Sequence, residues 1–301
     1  MTLVFACITP HGSEAIKQLA AKTTWKKFRR TTDSLRKIAA EVGRIKPDTI
    51  VIATPHNLRL SKNIGIILAE NSTGILHASP RNPTSISLKT KCDVAFAKKL
   101  FERSRRARLP VVGANYGSNE GAASDMPMDW GTLVPLWFML PRCRRKPRVV
   151  IVTPSREIPL SKNFQFGRVI AEHAEANRKK RVVFVASADQ AHTHRNTGPY
   201  GYSTRAKEYD RFVLDALSRN RIREVMTITH DLVEAAKPDS LWQMAILAGI
   251  ASEVKLKTEF ISYDVPTYFG MICANFRRAG QLIGRSQQTG IPRQETRLTS
   301  L

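Results

Sequence analysis

The chain lacks long apolar runs, clustered cysteines and a glycine-rich phosphate loop, and it is poor in acidic residues. No stretch reaches the roughly 18 consecutive apolar residues that a transmembrane helix needs. The N-terminal MTLVFACITPHG has an apolar run without a basic region before it or a small-residue cleavage site after it. It therefore reads as a first β-strand and not as a signal peptide. The four cysteines, Cys7, Cys92, Cys143 and Cys273, are scattered with no CxxC pair, which excludes a cysteine zinc cage and offers no disulfide framework. A reducing cytoplasm is the expected compartment. GANYGSNEG at 113–121 is too irregular for a Walker or dinucleotide loop. No GxSxG elbow occurs, which argues against an α/β serine hydrolase.

The shortage of acid leaves 25 Asp and Glu against 48 Lys and Arg, a formal net charge of +23. Such a surplus draws anions, nucleic acid among them. The cations are spread, however, over KKFRR at 26–30, RSRRAR at 103–108, RCRRKPR at 142–148 and RKK at 178–180. No zinc-finger spacing, RNP-like aromatic strand or basic tail accompanies them. A basic, solvated surface is the leading reading, followed by attraction of anionic substrates.

Hydrophobic residues make up 42% of the 301 positions, enough for a sizeable core. Short β-branched runs at Leu3–Thr9, Thr49–Thr54, Val149–Thr153, Val182–Ser187 and Glu259–Tyr263 read as buried strands. Amphipathic patterns at Thr32–Ile45, Asp93–Ala107, Phe164–Ala176 and Thr204–Leu217 read as helices, and Asp239–Val254 as a very apolar, buried one. The alternation predicts a single α/β domain over 1–284, with a largely parallel central sheet flanked by helices. Residues 56–92 and 112–130 are loop-rich, and 285–301 form a polar tail expected to be disordered.

Two segments share one grammar. CITPHG ends the first strand and delivers His11; VIATPHN ends the second and delivers His56. In open α/β folds, ligands bind beyond the carboxyl ends of the strands. Two parallel strands thus present both imidazoles on one sheet edge, as a metal site requires. The same Thr-Pro pair recurs at 153–154 as another strand end. VVFVASADQAHTH brings Asp189, His192 and His194 to that edge. A histidine beside a metal but not bound to it can act as general acid and base, and Asp189 can equally cap a turn. The carboxylate that would complete a two-histidine, one-carboxylate face is Asp231, Glu234 or Asp239, with Asp239 preferred. Asp239 precedes the apolar helix, where an N-cap role is the simpler explanation. His77 in a loop, His173 on the outer part of a helix and His230 near a helix start read as surface or structural.

CITPHG, ATPHN, MDWGTLVPLWF at 128–138, SADQAHTH, GPYGYSTRAKEYD at 198–210 and DSLWQMAILAG together resemble the class III extradiol ring-cleavage dioxygenases, of the type of the catalytic beta subunit of protocatechuate 4,5-dioxygenase. The resemblance implies a mononuclear non-haem Fe(II), with His11 and His56 as histidine ligands and His192 as the acid–base histidine. The family's third ligand is a glutamate; here Asp239 or Ser240 takes its place. A family histidine that touches the substrate hydroxyl is replaced by Trp130. The implied substrates are a catechol-type aromatic and dioxygen, and the implied product is a muconic semialdehyde. Trp130, Tyr200, Tyr202 and His194 are candidate substrate contacts. Relatives are often oligomeric, so a homo-oligomer is expected, with Leu136–Leu140 and Tyr268–Phe276 as interface or core. Three other readings stand behind this one: a non-catalytic relative, a nucleic-acid-binding protein, and a metal hydrolase using His11, His56 and Asp189.

Overall fold

The computed structural model describes residues 3–79 and 82–278. The polar tail expected at 285–301 lies outside the described residues. The elements in chain order are β1 (Leu3–Thr9), α1 (Lys22–Ile45), β2 (Thr49–Ala53), β3 (Ile64–Ile67), β4 (Asn71–Ser79), β5 (Asn82–Lys91), α2 (Val94–Arg106), β6 (Val111–Ala114) and β7 (Asp125–Pro127). There follow α3 (Trp130–Met139), β8 (Arg148–Thr153), α4 (Leu160–Ala176), β9 (Val182–Ser187), α5 (Arg205–Ser218), α6 (His230–Ala236), α7 (Leu241–Glu253), β10 (Leu256–Asp264) and β11 (Met271–Arg278).

Eight strands form the main sheet in the order β10-β11-β1-β9-β2-β8-β3-β6. The expectation of a largely parallel sheet is corrected: the sheet is mixed. Neighbours β1, β9, β2 and β8 run parallel, whereas β11 is antiparallel to β1, β10 to β11, and β3 to β8. For β10 and β11 the physical reason is connection length. Only residues 265–270 join β10 to β11, too few for the crossover that parallel pairing demands. Apolar content marks a buried strand but not its direction.

The four parallel strands are apolar at nearly every position because both of their faces are covered. Along β2, Val51 and Ala53 enter one core, with residues of α2, α4, α5 and α7. Ile50 and Ile52 enter the other, with residues of α1 and α3. This period of two repeats in β8 and β9. At the contact of α4 with α7 two glycines admit the opposite backbone. A Cβ on Gly249 would lie 1.9 Å from the Phe164 carbonyl oxygen, and one on Gly167 1.9 Å from that of Ile246.

Several boundaries differ from the pattern. Helix α1 starts at Lys22, ten residues before Thr32, because its first turns carry their buried face on Phe28, Thr31 and Thr32 among many cations. The Thr32 hydroxyl donates to the Ala15 carbonyl at 2.7 Å. The segment 56–92 holds three strands, and β4 and β5 pair antiparallel beside β7 in a second sheet. Their Ser- and Thr-rich alternation carries too few apolar residues to stand out as strand. His77 therefore lies in β4, not in a loop, and His173 is buried in α4 against Phe96 at 4.2 Å, not on its outer side. Leu136, Met139 and Leu140, like Phe269 and Met271–Phe276, are spent in the core.

Candidate metal centre

Because β1, β9, β2 and β8 are parallel neighbours, their carboxyl ends meet at one place on the sheet edge. There β1 delivers His11, β2 delivers His56, β9 delivers Asp189 and His192, and β8 delivers Arg156. Asp239 arrives from the segment before α7. Its backbone N–H bonds the Asp189 carbonyl at 3.1 Å. Gln243, fully buried in α7, donates to the Ser187 carbonyl at 2.9 Å and so ties the start of that helix to the end of β9. Asp239 does not cap α7: the N-cap residue is Ser240, and the Asp239 carboxylate faces the site instead.

His11 Nε2 and His56 Nε2 are 3.0 Å apart. His56 Nε2 is 3.2 Å from Asp239 Oδ2, and His192 Nε2 is 3.8 Å from the same oxygen. The ligand-type atoms of His11, His56 and Asp239 all lie within 4.8 Å of one another. Arg156 forms an ion pair with the other Asp239 oxygen and lies over the Trp242 ring at 4.6 Å. Asp189 is a near neighbour: Oδ1 accepts the His11 backbone N–H at 3.0 Å, and Oδ2 is 3.3 Å from His11 Nε2.

The surroundings fix which nitrogen carries the proton in the His11 and His192 rings. The Ser187 hydroxyl donates to the Gly131 carbonyl, so its oxygen accepts from His11 Nδ1–H at 3.0 Å. The His11 Nε2 lone pair then faces the cluster, the tautomer that a ligand histidine needs. The same logic holds for His192, whose Nδ1–H donates to the Gln190 carbonyl at 2.8 Å. Its Nε2 is left as an acceptor. His56 is held through Thr54, whose hydroxyl receives the His56 backbone N–H at 3.3 Å and donates to Asp129. Asp129 also caps α3 through Thr132 N–H at 3.0 Å. Gly131 is required at this junction, since a Cβ there would sit 2.5 Å from Thr54 Oγ1.

Electrostatics agree with the donor set. Burial holds the His11 imidazole well below its ordinary pKa, and the nearby His56 adds to the effect. Burial pushes Asp239 up but is outweighed by the His56 hydrogen bond and by the charges of Arg156 and His192, so its carboxyl is held well below the usual range. Metal ligation needs neutral imidazole and ionised carboxylate, and the shifts of His11 and Asp239 run in those directions. Asp189 is pushed well above the usual carboxylate range, first by burial. His192 is lowered by burial, against the opposing pull of Asp239. These residues fit a divalent transition metal, with His11, His56 and Asp239 as its holders.

A cavity of about 350 Å³ opens onto the cluster, lined by Trp130, Tyr200, Tyr268 and Phe269, with Leu76 and His77 contributed by β4. Trp130 stacks on His56 at 4.0 Å, and Phe269 stacks on His192 at 5.3 Å. Not every residue singled out in the sequence comes to this place. His194 Nε2–H donates to Asp210 Oδ2 at 2.8 Å, and neither it nor Tyr202 lines the cavity. Glu234 is exposed and paired with Lys237 at 2.7 Å, and Asp231 is exposed at the start of α6. Sequence reasoning did not single out Arg156, Ser187 or Asp129. For Arg156 a signal existed: the Thr-Pro pair at 153–154 ends a strand like the pairs before His11 and His56, and Arg156 follows two residues later.

An α/β sheet with two histidines and a carboxylate converging at its strand ends offers a candidate metal site. The chain belongs to the family described as the catalytic LigB subunit of aromatic ring-opening dioxygenase, which it matches over residues 5–273. Protein CA_C1420 of Clostridium acetobutylicum is 28% identical over 241 residues, covering 79% of this chain and 50% of that protein. The chain thus spans about half the length of this curated relative. A crystal structure of the uncharacterized protein JW3007 from Escherichia coli K12 aligns with a TM-score of 0.54 and 14% identity over 90% of this chain and 99% of that one. At that identity the likeness shows the fold alone. No helix among the described residues is long and apolar enough to cross a membrane.

Proposed function

We propose that the chain cleaves a catechol-type aromatic ring beside its two hydroxyls, with a single non-haem Fe(II) held by His11, His56 and Asp239. The observation that carries this reading is the convergence of those ligand atoms within 4.8 Å, with His192 Nε2 3.8 Å from Asp239 Oδ2 beside them. Family membership supports the reaction type. Bound there, Fe(II) supplies open positions for two substrate oxygens and dioxygen, together with the redox capacity that the cleavage needs.

The chain's own residues do the rest. His192 Nε2 faces the cavity as an acceptor and takes the proton of a substrate hydroxyl; the same nitrogen later returns it to the opening product. The Gln190 carbonyl keeps the ring from turning. Phe269 and Tyr268 cover His192 and limit water around it. Trp130 and Tyr200 offer aromatic walls that orient a planar ring. Both oxygen atoms of dioxygen enter the product, a muconic semialdehyde, and no further reductant is consumed.

A second reading, a family member that binds metal or a ligand without ring cleavage, is favoured by Trp130, whose stacking on His56 occupies space next to the cluster. One experiment separates the two. The protein is loaded anaerobically with Fe(II), and bound iron and oxygen uptake are measured with a panel of catechols including protocatechuate, for the wild type and His11→Ala. Uptake that depends on His11 and yields a yellow product supports cleavage. Bound iron without uptake on any catechol favours the second reading. Failure to bind iron removes the first.

A further inference from the structure

The opposite edge of the same sheet carries a second concavity that the metal centre does not use. The amino ends of β2, β8 and β9 open into a cleft of about 550 Å³. Its lining comes from the segments that lead into those three strands, from the start of β4 and from the end of β5. Seven cations line it: Lys89, Lys91, Arg145, Lys146, Arg148, Lys179 and Lys180. The single carboxylate on the lining among the described residues, Asp48, is engaged by Arg181, whose backbone N–H donates to it at 2.9 Å. Lys180 is paired with Asp93 at 2.5 Å and Lys89 with Asp125 at 3.2 Å. Among the described residues, Lys91, Arg145, Lys146 and Lys179 have no carboxylate partner, and all four are exposed.

We propose that this cleft binds the phosphate backbone of a nucleic-acid strand. Cations from segments distant in sequence converge on one concave surface. Repulsion among them is relieved by a ligand carrying regularly spaced negative charge, and each neutralised phosphate releases counterions. Among the described residues no aromatic side chain lines the cleft, so they offer bases no stacking platform, and binding is to backbone irrespective of sequence. A membrane surface fits less well, because none of the large exposed apolar side chains, Ile75, Val112, Tyr116, Trp130, Tyr200 and Tyr202, lies on the lining. The run at Lys26–Arg30 is equally basic but occupies one face of α1, with Asp33 beside it. It serves as the internal control.

The test is fluorescence anisotropy of a labelled single-stranded RNA and a labelled duplex DNA of arbitrary sequence, titrated with protein over a range of KCl concentrations. Three proteins are compared: wild type, a cleft variant (Lys91→Glu, Arg145→Glu, Lys146→Glu, Lys179→Glu) and a control variant (Lys26→Glu, Lys27→Glu, Arg29→Glu, Arg30→Glu). All eight positions are exposed and the charge change is the same in both variants. Circular dichroism confirms folding, and the milder Lys146→Gln/Lys179→Gln variant replaces the cleft variant if it does not fold. The proposal expects the cleft variant to lose about 30-fold or more at moderate salt and to flatten the salt slope by about three, while the control loses a few-fold. Equal losses in both variants overturn it, since net charge then explains the binding. Absence of wild-type binding to either strand overturns it as well. So does cleft-dependent binding of inorganic triphosphate as tight as that of the strands, or of anionic vesicles in place of them. Iron content, measured alongside, is expected to be unchanged in the cleft variant, because the two sites occupy opposite ends of the strands.

Discussion

The two edges of the central sheet share β2, β8 and β9 and differ in almost every other respect. At the carboxyl ends, polar groups are few, buried and bonded to one another: His11 to Ser187, Asp189 to the His11 backbone, His192 to Gln190. At the amino ends, charges are many, exposed and largely unpartnered. Burial is what separates them. A group removed from water must be satisfied by protein, and the partner that satisfies it also fixes its orientation and protonation. A solvated lysine is fixed by nothing. The carboxyl edge is therefore suited to chemistry that depends on geometry, and the amino edge to attraction that depends on charge.

The sharpest way to break this contrast is to remove one donor from the buried edge. Asp239→Ala takes away the carboxylate and leaves Arg156 without its partner at the cluster. Affinity for Fe(II) is expected to fall by more than about 100-fold, beyond the range of outer-shell losses. Calorimetric titration under anaerobic conditions measures it. A loss under about 10-fold would transfer the ligand role to Asp189, whose Oδ2 stands 3.3 Å from His11 Nε2.

Next in size is an effect on the scaffold behind the centre. Gly249→Ala places a methyl group 1.9 Å from the Phe164 carbonyl oxygen, which forces α7 away from α4. A cost of about 1–3 kcal/mol or more is expected, read by urea denaturation. Iron affinity should weaken with it, because α7 is anchored to β9 through Gln243 next to Asp239. A destabilised variant with unchanged iron binding would show that the buried edge holds its geometry without α7.

The buried edge was partly legible in the sequence, and the reasons differ residue by residue. His11 and His56 are each delivered by a Thr-Pro-His step, local in sequence and hence visible. Asp239 was one of three carboxylates within a short segment, and only its position across from β2 separates it from Glu234, which is exposed beside Lys237. Ser187 ends a strand and carries no pattern of its own; its role comes from His11, distant in sequence and adjacent across the β1–β9 pair. Apolar runs marked β1, β2, β8, β9 and β10 but not β3, β4, β5, β6, β7 or β11, and strand direction follows from connections that composition does not encode. The amino edge was legible only as charge. RCRRKPR and RKK stand out in sequence, while their meeting in one cleft depends on the order of β8, β2 and β9 in the sheet.

A smaller change tests whether orientation, apart from ligation, matters at the buried edge. Ser187→Ala deletes the acceptor for His11 Nδ1–H and keeps both histidines. Iron affinity is expected to fall about 10- to 100-fold, the usual range for loss of an outer partner. An affinity within about two-fold of wild type would mean that packing alone orients His11, and the tautomer argument would fail.

The smallest expected effect concerns the one place where the exposed edge resembles the buried one. Asp93 is buried, caps α2 through the Phe96 N–H at 3.3 Å, and accepts from Thr49 at 2.6 Å and Lys180 at 2.5 Å. Burial raises its pKa, but the bonds from Lys180 and Thr49 outweigh burial and leave it below the ordinary 3.8. A carboxyl depressed in the native state contributes stability that is fully present above its unfolded pKa and is lost as pH falls through the native one. Lys180→Met removes the cation, raises the native value, and should cost less than about 1 kcal/mol near neutrality, since Lys180 is partly solvated. The difference from wild type should shrink as acid protonates Asp93 in both proteins. Melting temperature against pH reads this directly. A difference that stays constant down to low pH would be a packing effect and would leave Lys180 a solvated charge like its neighbours in the cleft.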